Sequence, residues 1–129
     1  MPRILGVIAE YNPFHNGHLH HLLESKRLSE ADYIIVVMSG NFMQRGTPAL
    51  IDKYDRARSA LSCGADLVLE LPSYYSAGSA EYFALGSVSL LDKLGVVTHL
   101  CFGSECGDLD FMTKIAFLTG TESREYQSI

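Results

Sequence analysis

Four short apolar runs divide the chain, and a stretch with helical spacing of apolar residues follows each of them. The runs have the length and composition of buried parallel strands and cover residues 4–9, 33–38, 67–71 and 96–102. The stretches after them predict helices from about Gly17 towards Arg27, from Thr47-Pro48 to about Cys63, from about Ser76 to Leu94 and from about Leu109. Glycines follow the second and third stretches, as is typical of helix ends. Four strand–helix units predict an α/β fold with a doubly wound parallel sheet.

Polar loops follow each predicted strand. In a doubly wound sheet, ligands bind outside the carboxyl ends of the strands, at the point where the strand order reverses. The loops in question are residues 10–18, 39–46, 72–76 and 103–107. We therefore expect these loops to gather at one edge of the sheet and to form the functional site.

The first of these loops contains the motif His15-Asn16-Gly17-His18. It follows a turn marked by Asn12-Pro13 and opens the first predicted helix. Bare amides at a helix start bind anions, and histidines at i and i+3 share one face of the first turn. Gly17 would let a ligand come close to the backbone. The arrangement suits a triphosphate, with both imidazoles donating to the oxygens where charge develops.

Composition narrows the class of protein. The 129 residues are 47% hydrophobic, which is enough for the core of one domain. No apolar stretch approaches the roughly 20 residues of a membrane span, and the amino terminus lacks the features of a signal peptide. Three cysteines without CxxC spacing fit reduced thiols in a cytoplasm. A net charge of −5 is unfavourable for binding RNA without further basic residues.

Five segments of the chain resemble the tRNA(Met) cytidine acetate ligases. They occur in the order of that family and are residues 6–18, 38–46, 66–72, 79–83 and 101–107. The histidine motif is similar to the HxGH signature of a wider nucleotidyltransferase superfamily with a Rossmann-like fold. The resemblance implies a nucleotidyltransferase-like ATP-binding domain over residues 1–129. It also implies that the fifth strand, a second phosphate-binding motif and a tRNA-binding part lie beyond this stretch.

The resemblance implies an activity as well. Acetate would be activated with ATP as acetyl-adenylate, and the acetyl group would pass to N4 of cytidine 34 in elongator tRNA(Met). His15 and His18 would be catalytic, and magnesium would accompany ATP. The expected partners are ATP, acetate and elongator tRNA(Met), without a membrane and with a homodimer left open. A small-molecule adenylyltransferase of the pantetheine-phosphate or nicotinamide-mononucleotide type, or an inactive nucleotide-binding fragment, are the alternatives.

By the same resemblance, one continuous segment and two residues of a later loop would surround ATP. They are Val7, Ile8, Ala9, Glu10, Tyr11, Asn12, Pro13, Phe14, His15, Asn16, Gly17, His18, Leu19, His20, Gly103 and Glu105. Gly103 would admit the nucleoside, and Glu105 would accept hydrogen bonds from its hydroxyl groups. Two of these residues have alternatives, since Phe14 could be a hydrophobic staple on the helix and Glu105 a solvated carboxylate.

The loop after the second strand is a candidate site for the second substrate or for tRNA. Its polar residues are Ser39, Asn41, Gln44 and Arg45, and an arginine suits a carboxylate or a phosphate. Lys53 and Arg56 lie at i and i+3 of the next predicted helix. They could extend this patch towards a phosphate, or they could form a solvated helix face.

The histidines also have alternatives. His15 and His18 could be a surface pair at a helix start, or they could hold zinc with His20 and His21 nearby. No carboxylate or cysteine lies at the spacing that a motif such as HExxH provides. We therefore prefer phosphate binding and assign no metal ligand. Residues 119–124 are a weak candidate for a phosphate loop, with a solvated tail as the alternative.

Overall fold

The computed structural model describes residues 1–44 and 46–101. The elements along this part of the chain are β1 Ile4–Ala9, α1 Asn16–Ser29, β2 Tyr33–Ser39, α2 Lys53–Ser62, β3 Leu67–Leu71, α3 Ser73–Ser76, α4 Ala80–Leu94 and β4 His99–Cys101. The strands form one parallel sheet in the order β3-β2-β1-β4. The predicted α/β class and the parallel sheet are confirmed.

Alternate residues of each strand point to opposite sides of the sheet, and different helices cover these two faces. On one face, β1 and β2 pack with α1 and α2 in a core that contains Leu5, Val7, Leu22, Val36 and Ala60. On the other face, β2 and β3 pack with α4 in a core that contains Ile35, Val37, Leu71, Phe83 and Leu91. The chain runs outwards from β1 to β3 and returns to β4 on the far side of β1. The strand order therefore reverses between β1 and β4, the place where such sheets bind ligands.

The core beneath α1 offers a direct test of the packing. Leu22 is fully buried there, whereas its neighbour Leu23 is 56% exposed. We expect Leu22→Ala to lower the free energy of unfolding by about 2–5 kcal/mol, because it leaves a cavity against the sheet. The matched control, Leu23→Ala, should change it by less than about 0.5 kcal/mol. Urea titrations followed by circular dichroism measure both, and equal losses would contradict this placement of α1.

The second helix begins later than the sequence predicted. Thr47 belongs to the preceding loop, in which Phe42 and Pro48 pair as an isolated antiparallel bridge. The helix starts instead after Asp52, whose side chain accepts a hydrogen bond from the amide of Tyr54. A proline suits the first turn of a helix as well as an edge of extended structure. The predicted helix start at Thr47-Pro48 was wrong because the pairing of Phe42 with Pro48 holds this proline in extended structure.

The third predicted helix, over residues 76–94, begins later than predicted, and the predicted loop 72–76 contains the short helix α3. The short α3 ends at Ser76, and α4 begins after Ser79, whose hydroxyl accepts a hydrogen bond from the amide of Tyr82. A serine that caps a helix start competes with continuation of the preceding turn. This cap therefore separates the two helices.

The fourth strand is shorter than its predicted range of residues 96–102. Thr98 already bonds to Ile4, the first residue of β1, through its amide at 2.9 Å. Val96 and Val97 thus precede the start of the neighbouring strand and have no ladder partner on β1. Phe102, the predicted loop 103–107 and the helix predicted from about Leu109 lie outside the described residues. None of the helices in residues 1–44 and 46–101 has the length and apolar composition to cross a membrane.

Candidate functional site

A cavity of about 860 Å³ lies at the carboxyl end of β1. Its wall is formed by the end of β1, the loop that follows, the start of α1, the loop between β2 and α2, and one side chain of α4. The cavity thus lies at the edge of the sheet where the sequence placed the functional loops.

His15 and His18 form a reciprocal cap at the start of α1. The Nδ1 atom of His15 accepts a hydrogen bond from the Gly17 amide at 3.0 Å, and Nδ1 of His18 accepts one from the His15 amide at 3.1 Å. The two rings are stacked, with their centroids 3.7 Å apart. Because each Nδ1 is an acceptor, a neutral ring must carry its proton on Nε2. Both rings line the cavity, so each offers one Nε2–H donor.

Gly17 has a different role from the one that its position between the histidines suggested. Its amide is bonded to His15, so it is not one of the bare donors expected at the helix start. A Cβ atom at residue 17 would lie 2.9 Å from Cε1 and 3.1 Å from Nδ1 of the His15 ring. The glycine is therefore required to make room for this imidazole.

His18 is expected to be neutral at pH 7. Burial, and then the neighbouring His15 and His21 rings, lower the pKa of His18 below its ordinary value of 6.5. Protonation of Nδ1 would also break the bond from the His15 amide. The pKa of His18 is thus lower in the folded protein than in the unfolded chain. His18 therefore contributes to the stability of the fold above about pH 6.5, and this contribution is lost as the pH falls through the pKa that His18 has in the folded protein.

Long-range proton–nitrogen NMR correlations test the state of His18. We expect a neutral ring with the proton on Nε2 at pH 7, and a protonation midpoint below the ordinary value because burial disfavours the cation. A proton on Nδ1 of His18 at pH 7 would contradict the reciprocal cap.

Tyr11 packs against His18 in the wall of the cavity. The two ring centroids are 4.8 Å apart in an edge-on arrangement. Tyr11 is only 2% exposed, and burial raises the pKa of its phenol to about 12. Its backbone is in the left-handed region at φ 52°, a conformation that costs a residue with a side chain about 1–3 kcal/mol. The Tyr11 hydroxyl oxygen is itself buried, and it has no hydrogen-bond partner among the described residues.

Two side chains fasten the loop between β2 and α2 to the first loop. The Glu10 carboxylate accepts a hydrogen bond from the backbone amide of Gln44 at 3.3 Å. The side-chain oxygen of Asn12 accepts one from the backbone amide of Leu50 at 2.8 Å. All four residues line the cavity. The two loops therefore form one continuous wall.

The chain matches the model of the HIGH Nucleotidyl Transferase family over residues 2–129. It belongs to this family. It is 54% identical over 126 residues to a tRNA(Met) cytidine acetate ligase of Acetivibrio thermocellus, and 56% identical over 126 residues to that of Clostridium acetobutylicum. These alignments cover 98% of the chain but 30% and 31% of the relatives. The chain thus spans about a third of their length.

A solved structure agrees with these similarities. The crystal structure of Thermotoga maritima TmcAL bound with alpha-thio ATP aligns with a TM-score of 0.88 and 52% identity. The alignment covers 98% of this chain and 30% of that one. The resemblance to the tRNA(Met) cytidine acetate ligases, and the fold of the nucleotidyltransferase type, are confirmed.

Much of the segment predicted to surround ATP lines the cavity of this family member. Residues 7–13, His15 and His18 belong to the wall. The others do not contribute to it: Phe14, Asn16, Gly17, Leu19 and His20. Phe14 packs on the core beside Tyr11, with ring centroids 4.8 Å apart. Gly103 and Glu105 lie outside the described residues.

Sequence reasoning missed six residues of the wall, namely His21, Met43, Thr47, Pro48, Leu50 and Phe83. His21 follows His18 by three positions, and this helical spacing was the available signal. The loop residues depend on the bonds to Glu10 and Asn12, and Phe83 reaches the cavity from the opposite face of the sheet. No local pattern marks these contacts.

The candidate residues for the second substrate are dispersed. Gln44 lines the cavity, while Ser39 is fully buried and Asn41 is exposed outside the wall. Arg45 lies outside the described residues. Of the three candidates that the structure describes, Gln44 is the one that lines the cavity beside the first loop.

Lys53 and Arg56 do not form the phosphate-facing patch that their spacing allowed. Lys53 Nζ pairs with the Glu70 carboxylate at 2.7 Å, and this contact raises the pKa of the lysine. Arg56 is 1% exposed and points into the protein. Neither residue belongs to the wall of the cavity.

Within residues 1–44 and 46–101, no group of three or more histidine, cysteine or acidic side chains could hold a metal ion. Glu10 nevertheless offers a carboxylate to the cavity. Magnesium is often held by one or two carboxylates together with substrate phosphates, so this donor fits magnesium bound with a nucleotide.

Proposed function

We propose that this chain is the ATP-binding part of a ligase that activates acetate and acetylates elongator tRNA(Met). The observation that carries the proposal is the His15–His18 cap. Two imidazoles are held through Nδ1, line a cavity at the reversal of the strand order, and offer Nε2–H donors to it. The names of the similar proteins support acetate and tRNA(Met) as substrates.

The first reaction is adenylation of acetate. An acetate oxygen attacks the α-phosphorus of ATP, the bond to pyrophosphate breaks, and acetyl-adenylate forms. Negative charge grows on the phosphate oxygens, where donors fixed in advance stabilise the transition state. His15 and His18 supply these donors, and no protein nucleophile is needed because the site acts by positioning and charge stabilisation.

The second reaction transfers the acetyl group to tRNA. The N4 amine of cytidine 34 attacks the acetyl carbonyl, AMP leaves, and the amine loses a proton to give N4-acetylcytidine. We place the acceptor beside the end of β2 and the loop that leads to α2, where the candidate residues are Ser39, Asn41, Gln44 and Arg45. The contact of Gln44 with Glu10 supports this placement, because it brings that loop to the cavity.

Magnesium would be held by Glu10 together with the phosphates of ATP. When bound, the ion neutralises charge on the triphosphate and supports the departure of pyrophosphate. The backbone amide of Gln44 donates a hydrogen bond to the Glu10 carboxylate and holds it in place.

The remaining nucleotide contacts are also proposals. Cys101, the last residue of β4, pairs in register with Val7 of β1, which lines the cavity. This register supports Gly103 and Glu105 as contacts to the nucleoside. We further propose that residues 1–129 act as the nucleotide-binding domain of a cytoplasmic protein, with the basic tRNA-binding surface elsewhere and a homodimer left open.

An exchange assay tests the proposed function. The protein is incubated with ATP, labelled pyrophosphate and one candidate acceptor, and the return of label into ATP is measured. We expect acetate to drive exchange and phosphopantetheine or nicotinamide mononucleotide not to. Exchange driven by a phosphorylated acceptor would instead support a small-molecule adenylyltransferase, and a lack of exchange with every acceptor would support an inactive nucleotide-binding module.

A further inference from the structure

A buried guanidinium lies behind the wall of the cavity. Its nitrogens donate to main-chain carbonyl oxygens of three segments: Arg56 Nη1 to Glu10 at 2.8 Å and to Ser39 at 3.1 Å, Nε to Ile51 at 2.9 Å, and Nη2 to Gly40. These carbonyls belong to the ends of β1 and β2 and to the loop before α2. One side chain thus joins the segments that form the cavity wall.

The charge of Arg56 is not matched by a carboxylate in direct contact. The ion pairs found among residues 1–44 and 46–101 involve other side chains. Burial lowers the pKa of Arg56, and the more distant carboxylates of Asp52, Glu10 and Glu70 oppose this effect. A buried charge without a paired countercharge is costly. The carbonyl contacts explain where the guanidinium sits, but they do not by themselves explain why a full charge is placed there.

Glu10 adds a carboxylate to the cavity wall, and this negative charge opposes the binding of an anion beside it. The guanidinium is bonded to the carbonyl of Glu10 itself, so its positive charge lies one peptide group behind the lining. At such a distance, through partly desolvated protein, a unit charge acts strongly on a multiply charged ligand.

We propose that Arg56 makes the cavity selective for an anionic ligand over a neutral one without touching it. This inference rests on the proposed binding of ATP in the same cavity. Arg56 is a positioning residue in this account, because it acts through the electric field and through the carbonyls that it holds.

The decisive comparison uses two ligands that share a nucleoside and differ in charge. Dissociation constants for ATP and for adenosine are measured calorimetrically with the natural full-length protein and with its Arg56→Gln variant. We expect the ratio of ATP affinity to adenosine affinity to fall about tenfold in Arg56→Gln, because only the charged ligand feels the lost charge. Both dissociation constants are measured on the same sample, so that a fraction of inactive protein affects both titrations equally and does not change their ratio.

Arg58→Gln is the matched control. Arg58 lies two residues further along α2, has a side chain that is 76% exposed, and pairs with Asp55 at 3.1 Å. Removing the same charge from this screened position should leave the ATP-to-adenosine ratio within about twofold of the natural protein.

Arg56→Lys keeps the test informative if Arg56→Gln does not fold. A buried lysine loses its charge as the pH rises, whereas arginine stays charged. We expect the ratio in Arg56→Lys to be near the natural value at pH 7 and to fall about tenfold towards about pH 9–10. The natural protein should show no such fall. Asp52, Glu10 and Glu70 act on the charge at residue 56 in both proteins, so their effects cancel in the comparison.

Two results would overturn the inference while leaving the proposed function intact. One is an equal loss of ATP and adenosine affinity in Arg56→Gln. The other is a ratio in Arg56→Lys that does not change with pH. If the natural protein binds neither ligand, the proposed function itself fails, and the inference fails with it.

Discussion

Replacing either His15 or His18 with alanine should lower the turnover number for acetate-dependent exchange by a factor of about 10²–10³. In the proposed mechanism each substitution removes a donor that is aimed at the developing charge, and losses of this size are typical of such donors. The ATP concentration in the assay must be saturating, so that the change reports the chemical step. Initial rates of label exchange at several ATP concentrations measure the effect.

Two further variants separate catalysis from capping. His18→Gln keeps an acceptor that can reach the His15 amide, as glutamine does in a capping box, so the melting temperature should be retained while turnover still falls. His20→Ala removes an exposed imidazole from the same helix outside the cavity wall and should leave turnover within about twofold of the natural protein. An equally slow His20→Ala variant would contradict the assignment of the two donors.

Gly17→Ala should lower turnover about tenfold to a hundredfold although it touches no ligand. The new Cβ atom would lie 2.9 Å from Cε1 of His15, so the ring must move, and a displacement of about 1 Å at a reacting centre can cost that much. Because alanine favours helix more than glycine does, the melting temperature should not fall in parallel.

Asn16→Ala is the matched control for this substitution. Asn16 is the neighbouring residue of the first turn, is exposed, and lies outside the cavity wall. Its turnover should stay close to that of the natural protein. A Gly17→Ala variant as active as Asn16→Ala would show that the position of the His15 ring does not limit the reaction.

The parts of the fold that local sequence determines were predicted correctly. The apolar run of β2 is continuous because residues on both faces of this inner strand are buried, and the runs of β1 and β3 pair with it on either side. The start of α1 was marked by the histidine motif itself. Neither feature depends on a distant partner, so sequence periodicity and turn residues were enough to locate them.

The errors in the helices have one physical cause. Pro48 was taken for a helix start, but its pairing with Phe42 places it in an extended bridge. Ser79 was assigned to the interior of a helix, but its hydroxyl caps a new one. In both cases two local structures were compatible with the residues, and contacts elsewhere decided between them.

The candidate site was partly predictable for a similar reason. His15 and His18 could be identified because chemistry and spacing coincide in one turn. The burial of Arg56 could not, since arginine is usually exposed and its carbonyl partners are 16, 17 and 46 residues away along the chain, besides Ile51 nearby. Phe83 likewise joins the cavity from a helix on the other face of the sheet. Such contacts depend on the complete topology.

A crystal structure of the protein with a non-hydrolysable ATP analogue tests most directly whether the cavity at the end of β1 is the ATP site. We expect the phosphates at the start of α1, with oxygen atoms roughly 3 Å from Nε2 of His15 and of His18. Both Nδ1 atoms should keep their bonds to the backbone amides. Phosphate density at another loop, or rings turned so that Nδ1 faces the phosphates, would contradict the account.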